Sequence, residues 1–167
     1  MSLTVTRRVA FNAGHRLLGH EGMCRYLHGH NYLAEFHVRP RDEGHVDSVG
    51  RVVDFAELKT RLKGWIDEHW DHGLVLAEHD ENAIAAARMM EPPRYFLLPS
   101  NPTAEAMAEY LLHTACPAAL AGLEVECVKV VLWETRDSCA TAERQPASVP
   151  RPLDLPPVDP RDVVRLA

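Results

Sequence analysis

Hydrophobic and polar residues alternate along two stretches near the start of the chain. Apolar residues take the odd positions over Leu3–Phe11 and the even positions over Tyr32–Val38. Because successive side chains of a strand point to opposite faces, the alternation predicts half-buried strands over Leu3–Phe11 and His28–Pro40, joined by a glycine-containing loop. The apolar run Glu124–Glu134 predicts a third strand, and Val52–Val53 is predicted to start a short return strand.

Apolar residues recur at helical spacing after Asp54, a favourable N-cap residue. Glu57 completes a box of the capping type, and the predicted helix continues to His69. The predicted buried stripe of this helix consists of Phe55, Leu58, Leu62, Trp65, Ile66 and His69.

Two further helices are predicted later in the chain. A short helix over Ala83–Met90 is expected to stop at Pro92–Pro93. Thr103 is expected to cap a longer helix over Ala104–Ala115, with Pro117 just beyond its end. The order of the clearest elements, β, β, α, α, β, predicts one α+β domain in which two helices cover one face of an antiparallel sheet.

Composition limits the classes of partner. The chain has 167 residues and a net charge of −6 without a block of Lys or Arg, so a nucleic-acid partner is not expected. No apolar run is long enough to span a bilayer, and no signal peptide is recognisable, so we expect a cytoplasmic protein without a membrane partner. Six of the twelve prolines fall in residues 144–167, which predicts a domain over residues 1–143 and an extended or mobile tail.

The histidines supply the strongest chemical pattern. His28 and His30 are two positions apart on a predicted strand and therefore leave the same face, and His15 lies thirteen residues earlier. Three neutral imidazoles at about 2.0–2.1 Å suit zinc and leave one tetrahedral position open, as a catalytic site requires. Two alternatives remain open on spacing alone: a chance pair in a His-rich chain, or a structural zinc site that Cys24 closes as fourth ligand.

Cys24 and the Asp71–His72 pair are candidates for proton transfer. A thiol beside a cation ionises more readily, so Cys24, four residues before His28, is a competent base or nucleophile. The residues alone favour a plain helix terminus for Asp71–His72, with a proton relay as the alternative. Cys116 and Cys127 are expected to be small buried residues, whereas Cys139 is ambiguous, and all the thiols are expected to be reduced.

Several motifs together resemble the 6-pyruvoyl-tetrahydropterin synthase / 6-carboxy-tetrahydropterin synthase family. They occur in the family's order over about residues 5 to 143. The motifs are FNAGHRL (Phe11–Leu17), CRYLHGHNY (Cys24–Tyr32), VVDFAELK (Val52–Lys59), WDH (Trp70–His72), NPTAEAMAEYL (Asn101–Leu111) and WET (Trp133–Thr135). The most specific element is Cys-x₃-His-Gly-His with an upstream His and a downstream Asp-His.

The resemblance implies the tunnelling fold. A four-stranded antiparallel sheet with two helices would assemble into trimers whose sheets close into a β-barrel, and two trimers would form a homohexamer. Such closure removes the exposed edges of a small sheet. The segment between His72 and Asn101 is longer than usual for the family, and the tail lies outside the resemblance.

The resemblance also implies a role for each candidate residue. His15, His28 and His30 would hold Zn²⁺, and Cys24 would be the general base. Asp71 and His72 would complete a relay supplied across a subunit interface, which replaces the helix-terminus interpretation. The pterin would be bound by Glu134, whose carboxylate matches the amino-pyrimidine edge, and by Thr103 and Glu105, although Thr103 also serves as a helix cap.

The implied activity is a zinc-dependent carbon–carbon lyase. It would convert 7,8-dihydroneopterin triphosphate to 6-carboxy-5,6,7,8-tetrahydropterin, acetaldehyde and triphosphate for 7-deazaguanine and queuosine synthesis. The three-residue gap between Cys24 and His28 resembles the bacterial 6-carboxy enzymes. The alternatives are a 6-pyruvoyl synthase, which eliminates triphosphate without cleaving the side chain, and a non-catalytic zinc- or pterin-binding homologue.

Overall fold

A mixed six-stranded sheet lies at the centre of the computed structural model, which describes residues 3–42 and 44–144. The strands are β1 (Val5–His15), β2 (His28–Pro40), β3 (Gly73–Ala77), β4 (Tyr95–Leu98), β5 (Val125–Trp133) and β6 (Cys139–Glu143). Their order in the sheet is β4-β3-β1-β2-β5-β6. Strands β1, β2, β5 and β6 pair antiparallel, whereas β3 is parallel to both β1 and β4.

Three helical stretches accompany the sheet. Helix α1 (residues 55–69) and helix α3 (residues 104–119) each contain a central π-helical segment, Lys59–Lys63 and Leu111–Ala115 respectively. Helix α2 is Glu81–Arg88, and a single 3₁₀ turn covers Met23–Arg25.

The main core lies between the sheet and helices α1 and α3. Its largest fully buried side chains include Tyr32 and Phe36 from β2 and Trp70 at the end of α1. Full burial of an apolar side chain of this size stabilises a fold by roughly 1.5–3 kcal/mol. The α+β fold with two helices on one face is therefore confirmed, and the apolar faces of β1 and β2 are the expected ones.

The second face of the sheet carries a small core that the sequence did not predict, although its helix overlaps the predicted Ala83–Met90 helix. Leu74 and Leu76 of β3 alternate with Val75, so they point away from the main core. Together with Ile84 and Ala87 of α2 they form a small second core. Helix α2 thus covers the opposite face beside β3 and β4.

The expected four-stranded sheet is corrected to six strands. Four antiparallel strands are present, but β3 and β4 extend the sheet beyond β1 in parallel. β3 is covered on both faces, so its residues show no alternation that a strand pattern would reveal. Val52–Val53 forms bends rather than a strand.

Helix α3 continues through Pro117 instead of ending before it. Proline has no N–H to donate to the preceding turn, so a carbonyl of that turn needs another donor. The Arg144 side chain donates to the Leu112 carbonyl at 3.4 Å, beside the π-helical segment. In α1, Leu58, Leu62 and Ile66 are buried as expected, whereas Phe55 is 56% exposed.

Among the described residues, no helix is both long enough and apolar enough to cross a membrane. The predicted tail lies outside the described residues except for Arg144.

Candidate metal centre and active site

The register of the β1–β2 hairpin brings the three histidines to one place. His15 pairs directly with His28, and His30 pairs with Ala13, one diagonal step away on the same face. Directly opposed and diagonal residues are the nearest cross-strand neighbours in an antiparallel pair. Among the described residues, these three histidines form the group whose potential ligand atoms all lie within 4.8 Å of one another.

Backbone carbonyls fix the orientation of two of the rings. The Nδ1 atoms of His15 and His28 lie 2.8 Å from the carbonyl oxygens of Pro102 and Tyr26, which can only accept. Each Nδ1 therefore carries a proton, and in a neutral ring Nε2 then presents a lone pair.

The two Nε2 atoms lie 3.2 Å apart. Two lone pairs at this separation repel each other unless a cation lies between them. Bonds of about 2.0–2.1 Å to a tetrahedral ion place its ligand atoms roughly 3.3–3.4 Å apart, so the donor set fits a zinc ion.

Burial keeps His15 in the form that binds metal. The residue is 1% exposed, and desolvation lowers the pKa of its imidazole despite the hydrogen bond to Pro102 and the nearby Glu134 carboxylate. A histidine must be neutral to donate a lone pair to a metal.

Gly14 and Gly29 lie beside the three histidines, where strands β1 and β2 approach each other closely. They are directly paired. A Cβ on Gly29 would lie 3.0 Å from the Ala13 carbonyl oxygen, and one on Gly14 would lie 2.6 Å from a methyl of Leu74. The close approach of the two backbones therefore favours glycine at the centre of His-Gly-His.

Glu134, at the end of β5, reaches the histidines. Its Oε1 lies 3.4 Å from the Nε2 of His15 and 3.7 Å from that of His30. Tyr32 lies beside it in the core. Burial raises the pKa of Tyr32 strongly, and the charges of Glu134 and Cys24 and a hydrogen bond with Glu134 raise it further. The Tyr32 hydroxyl consequently stays protonated as a donor.

Cys24 sits in the 3₁₀ turn before β2 and is half-buried. The backbone N–H of Leu17 donates to the Cys24 carbonyl at 2.8 Å, and the Asn101 side chain bonds both the N–H and the carbonyl of Leu18. Asn101 thus ties the Cys24 loop to the segment whose Pro102 carbonyl orients His15.

Asp71 and His72 bond each other, which two adjacent residues achieve only through an unusual turn. His72 has a φ of 57°, and its Nδ1 lies 3.0 Å from Asp71 Oδ1. The backbone N–H of Asn12 donates to the same carboxylate at 2.9 Å, and the N–H of His72 donates to the Asn12 carbonyl at 2.7 Å. Partial burial would raise the pKa of Asp71, but the hydrogen bonds from Asn12 and His72 lower it.

Within one chain, the relay pair and Glu134 border different cavities. His72 and Arg94 help to line one of about 560 Å³, and Glu134 and Trp133 help to line another of about 710 Å³. His30 borders both. The end of β2 that carries His30 therefore lies between the two cavities.

Thr103 and Glu105 lie at the first turn of α3. Thr103 Oγ1 accepts from the Ala106 N–H at 3.2 Å, so its cap role is confirmed. Glu105 is exposed. Neither borders the two cavities in the described part of the chain.

A buried ion pair behind the metal centre was missed by the sequence analysis. Asp80 is 2% exposed, and both of its carboxylate oxygens accept from the guanidinium of Arg16, the residue after His15. Asp80 also caps α2 by accepting from the Ala83 N–H at 3.1 Å. Arg16 and Asp80 are 64 positions apart, and no local pattern in the sequence links them.

Comparisons with known proteins agree on one family. The family model described as 6-pyruvoyl tetrahydropterin synthase matches residues 4–145. The 6-carboxy-5,6,7,8-tetrahydropterin synthase of Rickettsia bellii is 36% identical over 130 residues, covering 78% of this chain and 92% of the relative. The enzyme of the same name from Aquifex aeolicus is 32% identical, covering 84% and 97%.

Solved structures show the same fold at lower identity. An uncharacterised protein of Wolinella succinogenes superposes with a TM-score of 0.71 at 22% identity, covering 87% of this chain and 99% of that one. The 6-pyruvoyl tetrahydropterin synthase of Plasmodium falciparum gives a TM-score of 0.63 at 20% identity, with the same coverage. This chain belongs to the 6-pyruvoyl tetrahydropterin synthase family.

Proposed function

We propose that the protein is a zinc-dependent lyase that converts 7,8-dihydroneopterin triphosphate and water to 6-carboxy-5,6,7,8-tetrahydropterin, acetaldehyde and triphosphate in 7-deazaguanine and queuosine synthesis. The observation that carries the proposal is the convergence of the His15, His28 and His30 nitrogens, with Cys24 in the turn before β2. The names of the bacterial relatives support the 6-carboxy branch, since relatives at 32–36% identity carry that name.

Each residue has a definite task in this proposal. The three histidines hold zinc, which supplies a Lewis acid that polarises an oxygen and makes the neighbouring protons more acidic. Cys24 moves a proton as general base, and its half-buried turn limits its contact with water. Glu134 binds the amino-pyrimidine edge, because two carboxylate oxygens match a pair of N–H donors.

Thr103 and Glu105 remain proposed contacts of the pterin ring. Neither borders a cavity of the single chain, so their contribution depends on the first turn of α3 meeting substrate in the assembled enzyme.

The Asp71–His72 pair is proposed to act across a subunit interface in a homohexamer. The His72 side chain is 73% exposed, so it is available to a neighbouring subunit. Asp71 holds the ring by its Nδ1 and leaves Nε2 free for proton transfer. A cytoplasmic location belongs to the same proposal.

The deciding experiment incubates the zinc-loaded protein with 7,8-dihydroneopterin triphosphate and assays acetaldehyde, triphosphate and the pterin product together. Acetaldehyde with a 6-carboxy pterin, abolished in Cys24→Ala, is the expected result. Triphosphate without acetaldehyde would instead assign a 6-pyruvoyl synthase. No turnover with bound zinc would leave a binding protein.

A further inference from the structure

An arginine side chain ties the turn of the proposed relay pair to the end of helix α1. Arg94 Nε donates to the carbonyl oxygen of Asp71 at 2.9 Å, and its Nη2 donates to the carbonyl oxygen of Asp67. Asp67 lies in the last turn of α1, which ends at His69, whereas Asp71 lies in the turn that follows. One guanidinium therefore joins the helix to the residue before His72.

The position of Arg94 follows from the chemistry of a helix end. The last carbonyls of an α-helix have no partner within the helix, and a cation near them is favoured by the helix dipole. A planar guanidinium offers several N–H donors in a fixed arrangement, so it can bond two carbonyls at once. The Leu74 N–H donates to the Arg94 carbonyl at 3.1 Å, and a Cβ on Gly73 would lie 3.2 Å from the Arg94 Cγ. The arginine therefore packs along the turn.

Strand β1 holds the same turn through its backbone. The N–H of Asn12 donates to the Asp71 carboxylate, and the carbonyl of Asn12 accepts from the N–H of His72. The φ of 57° at His72 is costly for a residue with a side chain, and such a conformation persists only where its surroundings hold it. Asn12 in β1 and Arg94 just before β4 supply those contacts. The added strand β4 thus begins at the relay turn.

We infer that Arg94 is a positioning residue for the proposed proton relay, because it holds the Asp71–His72 turn in the conformation that presents the imidazole. The inference rests on the proposed function, and Arg94 acts through the turn rather than on the substrate. A group that transfers a proton must lie within hydrogen-bond reach of that proton. A misplacement of about 1 Å costs up to roughly 10²-fold in rate, so we expect the loss of Arg94 to lower kcat by about tenfold.

The test compares the steady-state kinetics of the zinc-loaded wild type with Arg94→Met, Arg94→Lys and the control Arg88→Met. Arg88 lies in α2, and its Nε donates to the Tyr95 hydroxyl at 3.1 Å instead of to the turn. We expect Arg94→Met to lower kcat with little change in KM and in zinc content. Arg94→Lys should lose less, since it keeps the charge but not the planar set of donors. The control should match wild type.

A double variant separates positioning from a direct contact with substrate. If Arg94 acts through the His72 ring, Arg94→Met should have no further effect on the residual kcat of His72→Ala. An equal loss in both backgrounds would overturn the inference. A raised KM at unchanged kcat would also overturn it, because Arg94 would then bind substrate. A wild-type kcat in Arg94→Met, or an equal loss in Arg88→Met, would overturn it as well.

Hydrogen–deuterium exchange of the peptide over residues 70–73 tests the same contacts without turnover. Exchange should be faster in Arg94→Met than in wild type and Arg88→Met, because the turn opens more often. Unchanged exchange would show that Arg94 does not hold the turn and would overturn the inference. If the wild type itself has no turnover, the proposed function fails. Faster exchange in Arg94→Met would then leave Arg94 a structural contact of the turn without a part in proton transfer.

Discussion

At the end of the β1–β2 hairpin, two of the three imidazoles are tied to backbone carbonyls and His15 is 1% exposed. After helix α1, by contrast, the His72 side chain is 73% exposed and stands on a backbone with a φ of 57°. Both regions carry histidines in the same fold. In the first region this chain itself buries the His15 ring, whereas in the second it leaves the His72 ring exposed.

The difference teaches how the proposed chemistry is divided. The histidines proposed to bind metal are oriented within one chain, since hydrogen bonds to its own backbone carbonyls hold two of the rings. The relay pair has a fixed backbone but an open ring, which suits a group whose partner comes from a second subunit. The two regions should therefore respond differently to mutation.

The largest effect is expected from His28→Ala. Removal of a direct ligand should lower zinc affinity by more than about 100-fold, the upper range for residues that only support a ligand, and abolish activity. Metal content of the purified protein and chelator competition measure it. His37→Ala is the matched control, because His37 lies on the same strand but bonds Thr6 at 3.1 Å on the opposite face. Equal metal loss in both variants would contradict an assignment to His28.

Cys24→Ala and His72→Ala should each lower kcat by roughly 10²–10⁴-fold, the usual range for loss of a general acid or base. Both variants should retain zinc. Metal loss in Cys24→Ala would instead favour the structural site that the sequence left open.

Mixing these two inactive variants tests the division between subunits. If His72 of one subunit serves Cys24 of another, refolded mixtures contain some sites with both native residues, and activity returns in part. If both residues act within one chain, no mixed site is intact and activity stays at the level of the separate variants.

An intermediate effect is expected on stability. It concerns the ion pair between Asp80 and Arg16, the residue after His15. Asp80→Asn leaves the Arg16 guanidinium without its charged partner. We expect the free energy of unfolding to fall by roughly 2–3 kcal/mol at pH 7, less than for a fully buried pair because Arg16 is 23% exposed. Urea denaturation measures it. Asp67→Asn is the control, since the Asp67–Lys63 pair is over 40% exposed and contributes at most about 1 kcal/mol.

The Asp80 effect should depend on pH in a defined direction. The hydrogen bond from Arg16 holds the pKa of Asp80 below its usual value, despite burial. The stabilisation is therefore complete above the unfolded pKa of about 3.9 and is lost as the pH falls through the lower folded pKa. The difference between wild type and variant should be constant from pH 7 to 5 and shrink below about pH 4. A difference that grew on acidification would refute this origin.

The sequence predicted the residues of the proposed metal site better than it predicted the residues that hold this region in place. Period-two alternation placed His28 and His30 on one face, and the motif order identified the family. Asp80 and Asn101 act through contacts to residues more than sixty positions away along the chain, which no local period encodes. β3 was missed because both of its faces are covered.

The turn at Asp71–His72 shows a different limit of sequence reasoning. A left-handed residue is usually glycine, so a histidine there gave no local signal. The signal was the resemblance alone. The structure adds the reason why Gly73 follows: a Cβ on Gly73 would meet Arg94 at 3.2 Å and the Trp70 carbonyl oxygen at 3.4 Å.

The smallest expected effect comes from this strained position and has the opposite sign. His72→Gly should raise the free energy of unfolding by about 0.5–1 kcal/mol, because glycine adopts positive φ without the steric cost that a side chain carries. The exposed contact with Asp71 contributes little to stability, so its loss should not cancel the gain. In thermal unfolding at matched protein concentration, the gain corresponds to a rise in Tm of about 1–4 °C.

The same variant should lose activity, because the imidazole is gone. His72→Val keeps a side chain and adds β-branching, so it should be less stable than wild type and equally inactive. A His72→Gly protein that is both more stable and inactive would show that this turn is kept strained for the sake of its ring, unlike the buried ligands. A less stable His72→Gly protein would mean that the exposed imidazole already has a stabilising partner, which mixed oligomers of wild type and variant would then locate.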